Sequence, residues 1–398
     1  MPLNTLNEFY SAMSSTVECR RMIVCSLLEN NFVPAKLLDS LKQTLEQILS
    51  TPRVDSGGFE LFYAEHKTMK LDLTYEIEEL KKDIFFIRHP EEEFAGYLED
   101  LHPGFRGEVG NTIEALRGKK FSNFITDRDG TVNNYCGRYQ TSIQSAYNAL
   151  FLTRFARDCS ERSILLSSAP LRNLGLVDIS VLPSGTYIYA GSKGREYLDI
   201  QNRYHRFPVE AGKQNKLDIL NAGLVDLLKD PRYEPFSLIG SGLQFKFGQT
   251  TVSRQDINGS IPEKESRIFL RRVKALVREV DPDKTFFRIE DTGKDIEIIL
   301  TVTDEKYGTL KDFDKGNGVM FLNRDVPLFL NEGVNLICGD TPSDVPMVEA
   351  ASEMNNETLA VFVSEDLALQ KKMTAVCPRA LFVSEPDVLV YALNELAK

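Results

Sequence analysis

Tryptophan is absent from this chain of 398 residues, so no indole platform exists on which a sugar ring could stack. Long apolar runs are absent too. None approaches the roughly 18 consecutive apolar residues of a membrane-crossing helix. The first residues carry no basic stretch followed by an apolar core, so no secretory leader is expected. Cysteine is scarce and scattered. Cys19, Cys25, Cys136, Cys159, Cys338 and Cys377 fall at no spacing that suits a zinc site or a disulfide framework, and Cys338, inside an apolar run, reads as a buried thiol. Positive charge is short as well. Lys and Arg number 47 against 58 Asp and Glu, a formal net charge of −11, which argues against nucleic acid or an acidic membrane as the main partner. A hydrophobic share of 42% with 26% charged residues is that of a soluble globular protein, and the cytoplasm is the expected compartment. The length leaves room for two or three domains.

What is present is more specific. The run Phe121-Ser-Asn-Phe-Ile-Thr-Asp127-Arg-Asp129-Gly130-Thr131 ends a β-favouring stretch in two acids one residue apart, then a glycine and a threonine. At the C-terminal end of a parallel strand, Asp127 and Asp129 would lie near one another, and Gly130 would let the chain leave the strand sharply. Such a tip suits a nucleophilic carboxylate, a second carboxylate for acid–base work and a divalent cation between them. Asp-x-Asp-Gly also occurs in ordinary turns and in calcium loops. The calcium reading needs further oxygen ligands where this chain has Tyr135 and Tyr139.

Further segments follow in order. After a predicted helix from Thr141 to Cys159, the apolar strand of Arg162-Ser-Ile-Leu-Leu-Ser167-Ser168 ends in hydroxyls. Phe313-Asp-Lys315-Gly-Asn-Gly opens a predicted helix, and Val334-Asn-Leu-Ile-Cys-Gly339-Asp340-Thr-Pro-Ser-Asp344 is another apolar strand ending in paired acids. Acid pair, hydroxyl, lysine, acid pair, mostly at strand ends, is far more specific than any one of them. Each has a plainer reading. Ser167 or Ser168 could cap a following helix, Lys315 could lie on the surface, and Thr131 could merely tie the loop. Ser167 is favoured over Ser168 because it directly follows the apolar run, and Gly339 permits close approach at Asp340.

This order resembles the haloacid dehalogenase superfamily of aspartyl phosphatases, from about Phe121 to the end of the chain. Within it the chain is most similar to the trehalose-6-phosphate phosphatases. Lys315-Gly opens the helix, Leu243-Gln-Phe-Lys246 lies in an insert, and that insert is long and falls between the second and third motifs. The helical N-terminal extension resembles that of the nematode enzymes of the family. The resemblance implies Mg²⁺-dependent hydrolysis of a phosphorylated disaccharide, trehalose 6-phosphate before others, through an aspartyl-phosphate on Asp127. It implies Asp129 as the acid–base group, with Ser167 and Lys315 holding the phosphoryl oxygens. It implies Mg²⁺ held by Asp127, the backbone carbonyl of Asp129 and Asp340, with Asp344 orienting the acidic cluster.

Residues 1–115 read as an all-α unit. Leu6, Phe9, Met13, Val17, Val24 and Leu27 recur at helical spacing, as do Leu37, Leu41, Leu45 and Ile48, with a break at Asn30-Asn-Phe-Val-Pro34. Thr51 to Gly58 is a loop. Phe59, Phe62, His66, Met69, Leu73, Ile77, Leu80 and Ile84 then alternate at three and four residues, close to a heptad seam on a charged helix. His66 there reads as a packed or partly exposed side chain rather than a ligand. Such a unit could pack on the core, form a homodimer or bind a protein partner.

The phosphatase core is expected over 116–207 and 305–398, as a doubly wound parallel α/β sheet, with strands at Gly333–Cys338, Thr358–Val363 and Ala380–Val383 and a last helix from Asp387. An α+β lid over 208–304 interrupts it. Helices from Lys213 to Leu228 and Glu263 to Glu279 alternate with strand pairs at Phe236–Phe247, Thr250–Asp256 and Thr285–Glu290, Ile296–Val302, which makes a four-stranded sheet with both helices on one face. In the resembling family a lid strand carries Glu-x-Lys, then His and Arg; this chain has Gln244-Phe-Lys246, then Ser253 and Arg254. The family's His-Gly turn is here Lys193-Gly194. Lys193, Gln244, Lys246 and Arg254 are therefore the expected substrate contacts, against the plainer reading that they line exposed strand faces. Two other functions stay open: a sucrose- or mannosyl-phosphoglycerate-type phosphatase, and a scaffold or regulatory protein acting through its N-terminal helices.

Overall fold

The computed structural model describes residues 2–54, 58–303 and 310–398. The boundary expected between residues 304 and 305 lies outside the described residues, as does the middle of the loop expected from Thr51 to Gly58.

The N-terminal unit opens with two helices packed on one another, α1 (Leu6–Asn30) and α2 (Ala35–Leu49). A capping box between Thr5 and Glu8 starts α1, and Asn31, with φ of 49°, ends it. The run from Phe59 to Ile84 corrects the sequence reading. It is not one helix with a heptad seam but a hairpin and then a helix. β1 (Phe59–Ala64) pairs antiparallel with β2 (Lys67–Leu71), and only then does α3 (Thr74–Arg88) begin. Phe59 and Leu61, then Met69 and Leu71, are buried at alternate positions, a period of two that a three-and-four count absorbs. His66 sits exposed in the turn with φ of 58°. α4 (Glu91–Leu101) and α5 (Phe105–Leu116) complete the unit, which is otherwise helical.

The chain then enters the large sheet through β3 (Phe121–Thr126), α6 (Ala146–Asp158), β4 (Ser160–Leu166), α7 (Leu176–Ile179), β5 (Ile188–Gly191), β6 (Glu196–Leu198) and β7 (Tyr204–Arg206). α6 begins later than expected, because the chain from 127 to 145 forms loops and one 3-10 turn, Tyr139–Thr141. The insert supplies α8 (Ala211–Leu228), β8 (Leu243–Lys246), β9 (Gln249–Ser253), α9 (Glu263–Val280), β10 (Phe287–Asp291) and β11 (Asp295–Leu300). After β12 (Val302–Thr303) and β13 (Leu310–Lys311) come α10 (Lys315–Asp325), β14 (Val334–Gly339), α11 (Val345–Met354), β15 (Thr358–Val363), α12 (Leu367–Val376), β16 (Leu381–Val383) and α13 (Pro386–Leu396). Among the described residues no helix is long and apolar enough to cross a membrane.

The eight-stranded sheet runs β16-β15-β14-β3-β4-β5-β6-β7, parallel from β16 to β5 and antiparallel for the last two strands. Both faces are covered, so the strand centres are mainly apolar and their residues alternate sides, while the buried Asn123 donates to the buried Asn335 across β3 and β14. Phe124, Leu165, Leu336 and Val361 face α6, α13 and the N-terminal helices. Ile125, Ile164, Ile337 and Ala360 face α10, α11 and α12. This is the doubly wound arrangement expected. The insert forms its own antiparallel sheet, β10-β11-β9-β8. Val252, Ile296 and Ile298 on one face pack with Leu220 and Leu224 of α8 and Phe269 and Val273 of α9.

Aromatic packing joins the N-terminal unit to the core. Phe86 meets Phe151 edge-on with centroids 5.4 Å apart, and Phe94 meets Tyr147 at 4.9 Å. Beside them Lys82 is buried between Glu79 (2.8 Å) and Asp387 of α13 (2.7 Å), with His102 Nε2 3.0 Å from the same Asp387. Burial opposes the Lys82 charge, but Asp387 and Glu79 outweigh it and hold the lysine protonated. Removing that cation strands two buried acids. Lys82→Met is expected to lower the unfolding free energy by about 3–5 kcal/mol in urea titration, whereas an exposed control such as Lys42→Met changes it little. A Lys82→Met protein as stable as wild type would show that the cluster does not hold the two units together.

Candidate active site

Parallel register sets three strand tips side by side. β14 and β4 flank β3, so Asp127 after β3, Asp340 after β14 and Ser167 after β4 emerge at neighbouring ends. Gly130, with φ of 84°, turns the chain away from the tip; a Cβ there would collide with the Asp340 carboxylate. Thr131 Oγ1 donates to Asp340 Oδ1 at 2.8 Å. Asp344 organises the second tip, its Oδ2 accepting from the amides of Asp340 (3.1 Å) and Thr341 (2.9 Å).

Lys315 is the first residue of α10, whose N-terminus Asp314 caps through a bond to Asn317 N. Its ammonium lies 2.8 Å from Asp127 Oδ2 and 2.5 Å from Asp344 Oδ1, and is almost wholly buried. The two glycines after it explain how α10 comes so close. A Cβ on Gly316 would stand 2.6 Å from Pro346 O, and one on Gly318 would strike Lys193 O. The sequence expectation that a Lys-Gly-x-Gly run marks this helix start thus has a steric basis.

Asp127, Asp340 and Asp344 each offer a carboxylate oxygen within 4.8 Å of the others. Three acids face one lysine. Burial, then repulsion from Asp344 against the pull of Lys315, lifts the Asp127 pKa to about 7. Burial with repulsion from Asp127 and Asp344 lifts Asp340 to about 8. Burial works on Asp344 too, but Lys315 and the loop amides win and hold it low. An all-carboxylate donor set with unbalanced negative charge fits a hard divalent cation.

Asp129 stands differently. Its carboxylate is not one of the three; it accepts from Ser142 Oγ at 2.7 Å and from the Arg128 guanidinium. Arg128 is buried and was missed in the sequence, although a charged residue between two acids at a strand tip is a signal that it must be paired there. Ser167 is buried, its Oγ accepting from Ala169 N at 3.1 Å and its carbonyl from Lys193 N at 2.9 Å, whereas Ser168 is partly exposed. Ser167 and the Lys193 turn are therefore one unit.

The insert, the expected lid, meets the core beside these tips, at Asp129 and at the Ser192–Lys193 turn. Its second sheet face is polar. Gln244 pairs with Thr251, Lys246 with Gln249, Thr251 with Glu297 and Ser253 with Asp295, so all seven share the face opposite the lid helices. Gln244, Lys246, Gln249, Thr251 and Ser253 are nonetheless buried. The β8–β9 turn docks on the core, with Arg195 donating to Gly248 O (2.6 Å) and Leu300 O (2.9 Å) and Phe247 N to Ser192 Oγ (3.0 Å). A cavity of about 100 Å³ is lined by Asp129, Tyr135 and Tyr139 from the core and by Ser241, Lys294 and Asp295 from the lid. Burial lowers the Lys246 pKa, with Glu297 opposing and the core's Lys193 adding to it. Arg254 does not join them. Its guanidinium is held by Asp291 (2.6 Å) and Ser266 Oγ (2.8 Å) inside the lid. It follows Ser253 by one residue, so it points to the helix side of the sheet. Glu297 and Arg195 were not legible beforehand, because only strand pairing and lid docking bring them here.

Two family models match the chain: "Trehalose-6-phosphate phosphatase, C-terminal" over residues 124–389 and "Trehalose-6-phosphate phosphatase N-terminal helical bundle domain" over residues 5–103. A Brugia malayi protein named trehalose-phosphatase is 30% identical over 431 residues, covering 99% of this chain and 86% of its own. An Aphelenchoides avenae protein named alpha,alpha-trehalose-phosphate synthase [UDP-forming] 1 is 30% identical over 412 residues and 98% of this chain, which spans 35% of that relative's length. Among solved structures, a C. albicans trehalose-6-phosphate phosphatase C-terminal domain matches with a TM-score of 0.47 and 15% identity, over 73% of this chain and 96% of that one.

The acid cluster makes a pH prediction. Unfolded, Asp127 and Asp340 lose their protons near 3.8; folded without a cation they keep them to about 7 and about 8. The fold binds more protons in between, so stability is full below the lower value and is lost as pH rises through the upper ones. Glu76 and Asp83, raised mainly by burial to about 7 and about 6, add to this slope. In chelator, the melting temperature is expected to fall from about pH 5 to about pH 8, and Asp340→Asn or added Mg²⁺ should flatten the fall. An unchanged slope in Asp340→Asn would show that the cluster is not overloaded with charge.

Proposed function

The chain belongs to the trehalose-6-phosphate phosphatase family, and on that premise we propose that it hydrolyses trehalose 6-phosphate to trehalose and phosphate, with Mg²⁺, through an aspartyl-phosphate on Asp127. The observation that carries this reading is the buried Asp127 carboxylate at a strand tip, 2.8 Å from Lys315 and within one cluster with Asp340 and Asp344.

Phosphate monoesters hydrolyse so slowly unaided that enzymes accelerate the reaction by up to ~10²¹, and several effects must act together. Lys315 engages Asp127 Oδ2, which leaves Oδ1 to attack phosphorus as the bond to the sugar oxygen breaks. Asp129 gives its proton to the departing sugar oxygen. It then takes one from the water that attacks the aspartyl-phosphate, which frees Asp127 and releases phosphate. Lys315 and Ser167 hold the phosphoryl oxygens. Mg²⁺ held by Asp127, the Asp129 carbonyl and Asp340 would offset the repulsion between carboxylates and phosphate. The polar lid face reads the sugar, with Gln244 and Lys246 on its hydroxyls and Lys193 facing them from the core, while the closed lid keeps competing water out.

A second reading is favoured by one observation. Gln244 and Ser253 stand where the family carries Glu and His, so the lid face suits another sugar phosphate of similar size. Phosphate release from trehalose 6-phosphate, sucrose 6-phosphate and glucose 6-phosphate, with and without Mg²⁺, separates the two. Metal-dependent release largely confined to trehalose 6-phosphate is the expected result. Release from sucrose 6-phosphate instead would keep the chemistry and change the substrate; release from none would overturn both.

Asp127→Asn is expected to abolish turnover with the fold retained, so an active Asp127→Asn protein would exclude it as nucleophile. Lys246→Ala should raise KM for the sugar phosphate by about tenfold or more and leave a small aryl phosphate nearly unaffected. Equal effects on both would remove Lys246 from sugar recognition.

A further inference from the structure

α3 belongs to the N-terminal unit, yet it faces the core segment between β3 and α6 with Tyr75, Glu76, Glu79 and Asp83. Tyr75 Oη donates to Ile143 O at 2.9 Å and accepts from Asn133 Nδ2 at 3.0 Å. Glu76 accepts from Thr141 Oγ1 at 2.5 Å. Glu79 accepts from Ser145 Oγ, and from Asn134 Nδ2 at 3.0 Å. Asp83 Oδ1 accepts from the amides of Ala146 (2.7 Å) and Tyr147 (3.3 Å), the open N-terminus of α6. Ser145, in the capping position of that helix, makes no capping bond of its own, because its hydroxyl is turned to Glu79. The cap of a core helix thus comes from another unit. Arg20 of α1 clamps Asp83 in turn, at 2.7 Å, with both side chains fully buried.

Ser142 lies between two of these anchored residues, Thr141 and Ile143. Its hydroxyl donates to Asp129 Oδ1 at 2.7 Å. Arg128 donates to the Ser142 hydroxyl at 3.0 Å and to its carbonyl. A continuous set of bonds therefore runs from α3 to the Asp129 carboxylate. Buried acids are costly, and apolar residues of similar volume would hold two helices together as well. What the acids and the tyrosine supply in addition is a fixed position for the backbone on both sides of Ser142.

We infer that α3 positions the Asp129 carboxylate through Ser142, with Tyr75 and Glu76 as positioning residues for proton transfer to the leaving group. The inference rests on Asp129 being the acid–base group proposed above. Freed of its anchors, Ser142 no longer fixes the carboxylate, and proton delivery to the leaving oxygen suffers. A sugar alkoxide needs that proton; a nitrophenolate leaves without it.

The test uses the full chain in single-turnover experiments, following release of the sugar from its best sugar phosphate and of nitrophenol from 4-nitrophenyl phosphate. Asp129→Asn serves as reference and is expected to slow sugar release by about 100-fold or more, and nitrophenol release far less. Tyr75→Phe and Glu76→Leu are expected to slow sugar release by about tenfold, to change nitrophenol release less than about twofold, and to leave KM nearly unchanged. Glu76→Gln keeps an acceptor for Thr141 and should stay close to wild type. Thermal melts confirm folding, and Tyr75→Phe, which loses one hydroxyl, remains informative if Glu76→Leu fails to fold. If Asp129→Asn shows the leaving-group dependence while Tyr75→Phe and Glu76→Leu slow both substrates alike, or neither, the positioning role is overturned and the Asp129 reading survives. If Asp129→Asn itself shows no such dependence, the Asp129 reading falls, and this inference with it.

Discussion

Three carboxylates on two neighbouring strand tips share one buried ammonium, that of Lys315. Much of the local architecture follows from bringing them together. Gly130 keeps the first tip from colliding with Asp340, and Gly316 and Gly318 let α10 approach closely enough for its first residue to reach Asp127. Asp344 spends one oxygen on Lys315 and the other on the loop that presents Asp340. The charge still does not balance, which is why Asp127 and Asp340 are pushed toward their neutral forms. A carboxylate is a poor nucleophile when protonated, so a cation is what would restore reactivity to this cluster. Cation binding and the protonation of these carboxylates would thereby be coupled.

The same excess of negative charge bears on the lid. On the function proposed above, a chain of net charge −11 would have to admit an anionic ligand to these tips. Lys193 lies near enough to Lys246 to add to the lowering of the Lys246 pKa, after burial, and both belong to the seam where the β8–β9 turn meets the core. Two cations held together against their own repulsion are a device for local attraction that the overall charge does not reveal. The lid sheet repeats the pattern. Its polar face is buried although its own helices cover the opposite one, so other protein groups cover it, the docked core among them.

Much of this was legible because buried parallel strands are short, mainly apolar and β-favouring runs, and such runs end visibly at Asp127, Ser167 and Asp340. The errors share a cause. Helical and strand periods overlap over a few residues, so the hairpin from Phe59 to Leu71 was absorbed into the helix that follows it. Arg254 was misplaced by one position, and one position in a strand is the opposite face. Arg128, Ser142 and Glu297 stayed hidden for a different reason. Nothing local marks them, since each acquires its partner only when distant segments meet.

α3 carries this point furthest. As a sequence it is a charged surface helix; as folded, Glu76, Glu79, Lys82 and Asp83 are all buried, each 2% exposed or less. Its attachment to the core divides into two parts. Phe86, with Phe94 of the following α4, supplies apolar burial against Tyr147 and Phe151, which is tolerant of small displacements. The ionic row is not tolerant, because an acid out of reach of its donor is an unpaired buried charge. The apolar contacts therefore hold the helix on, and the polar ones fix where it sits. α6 takes its N-terminal cap from Asp83, so the first helix of the core has its open amides satisfied by α3. Two segments that match separate family models thus meet at the loop that Asp129 is bonded to.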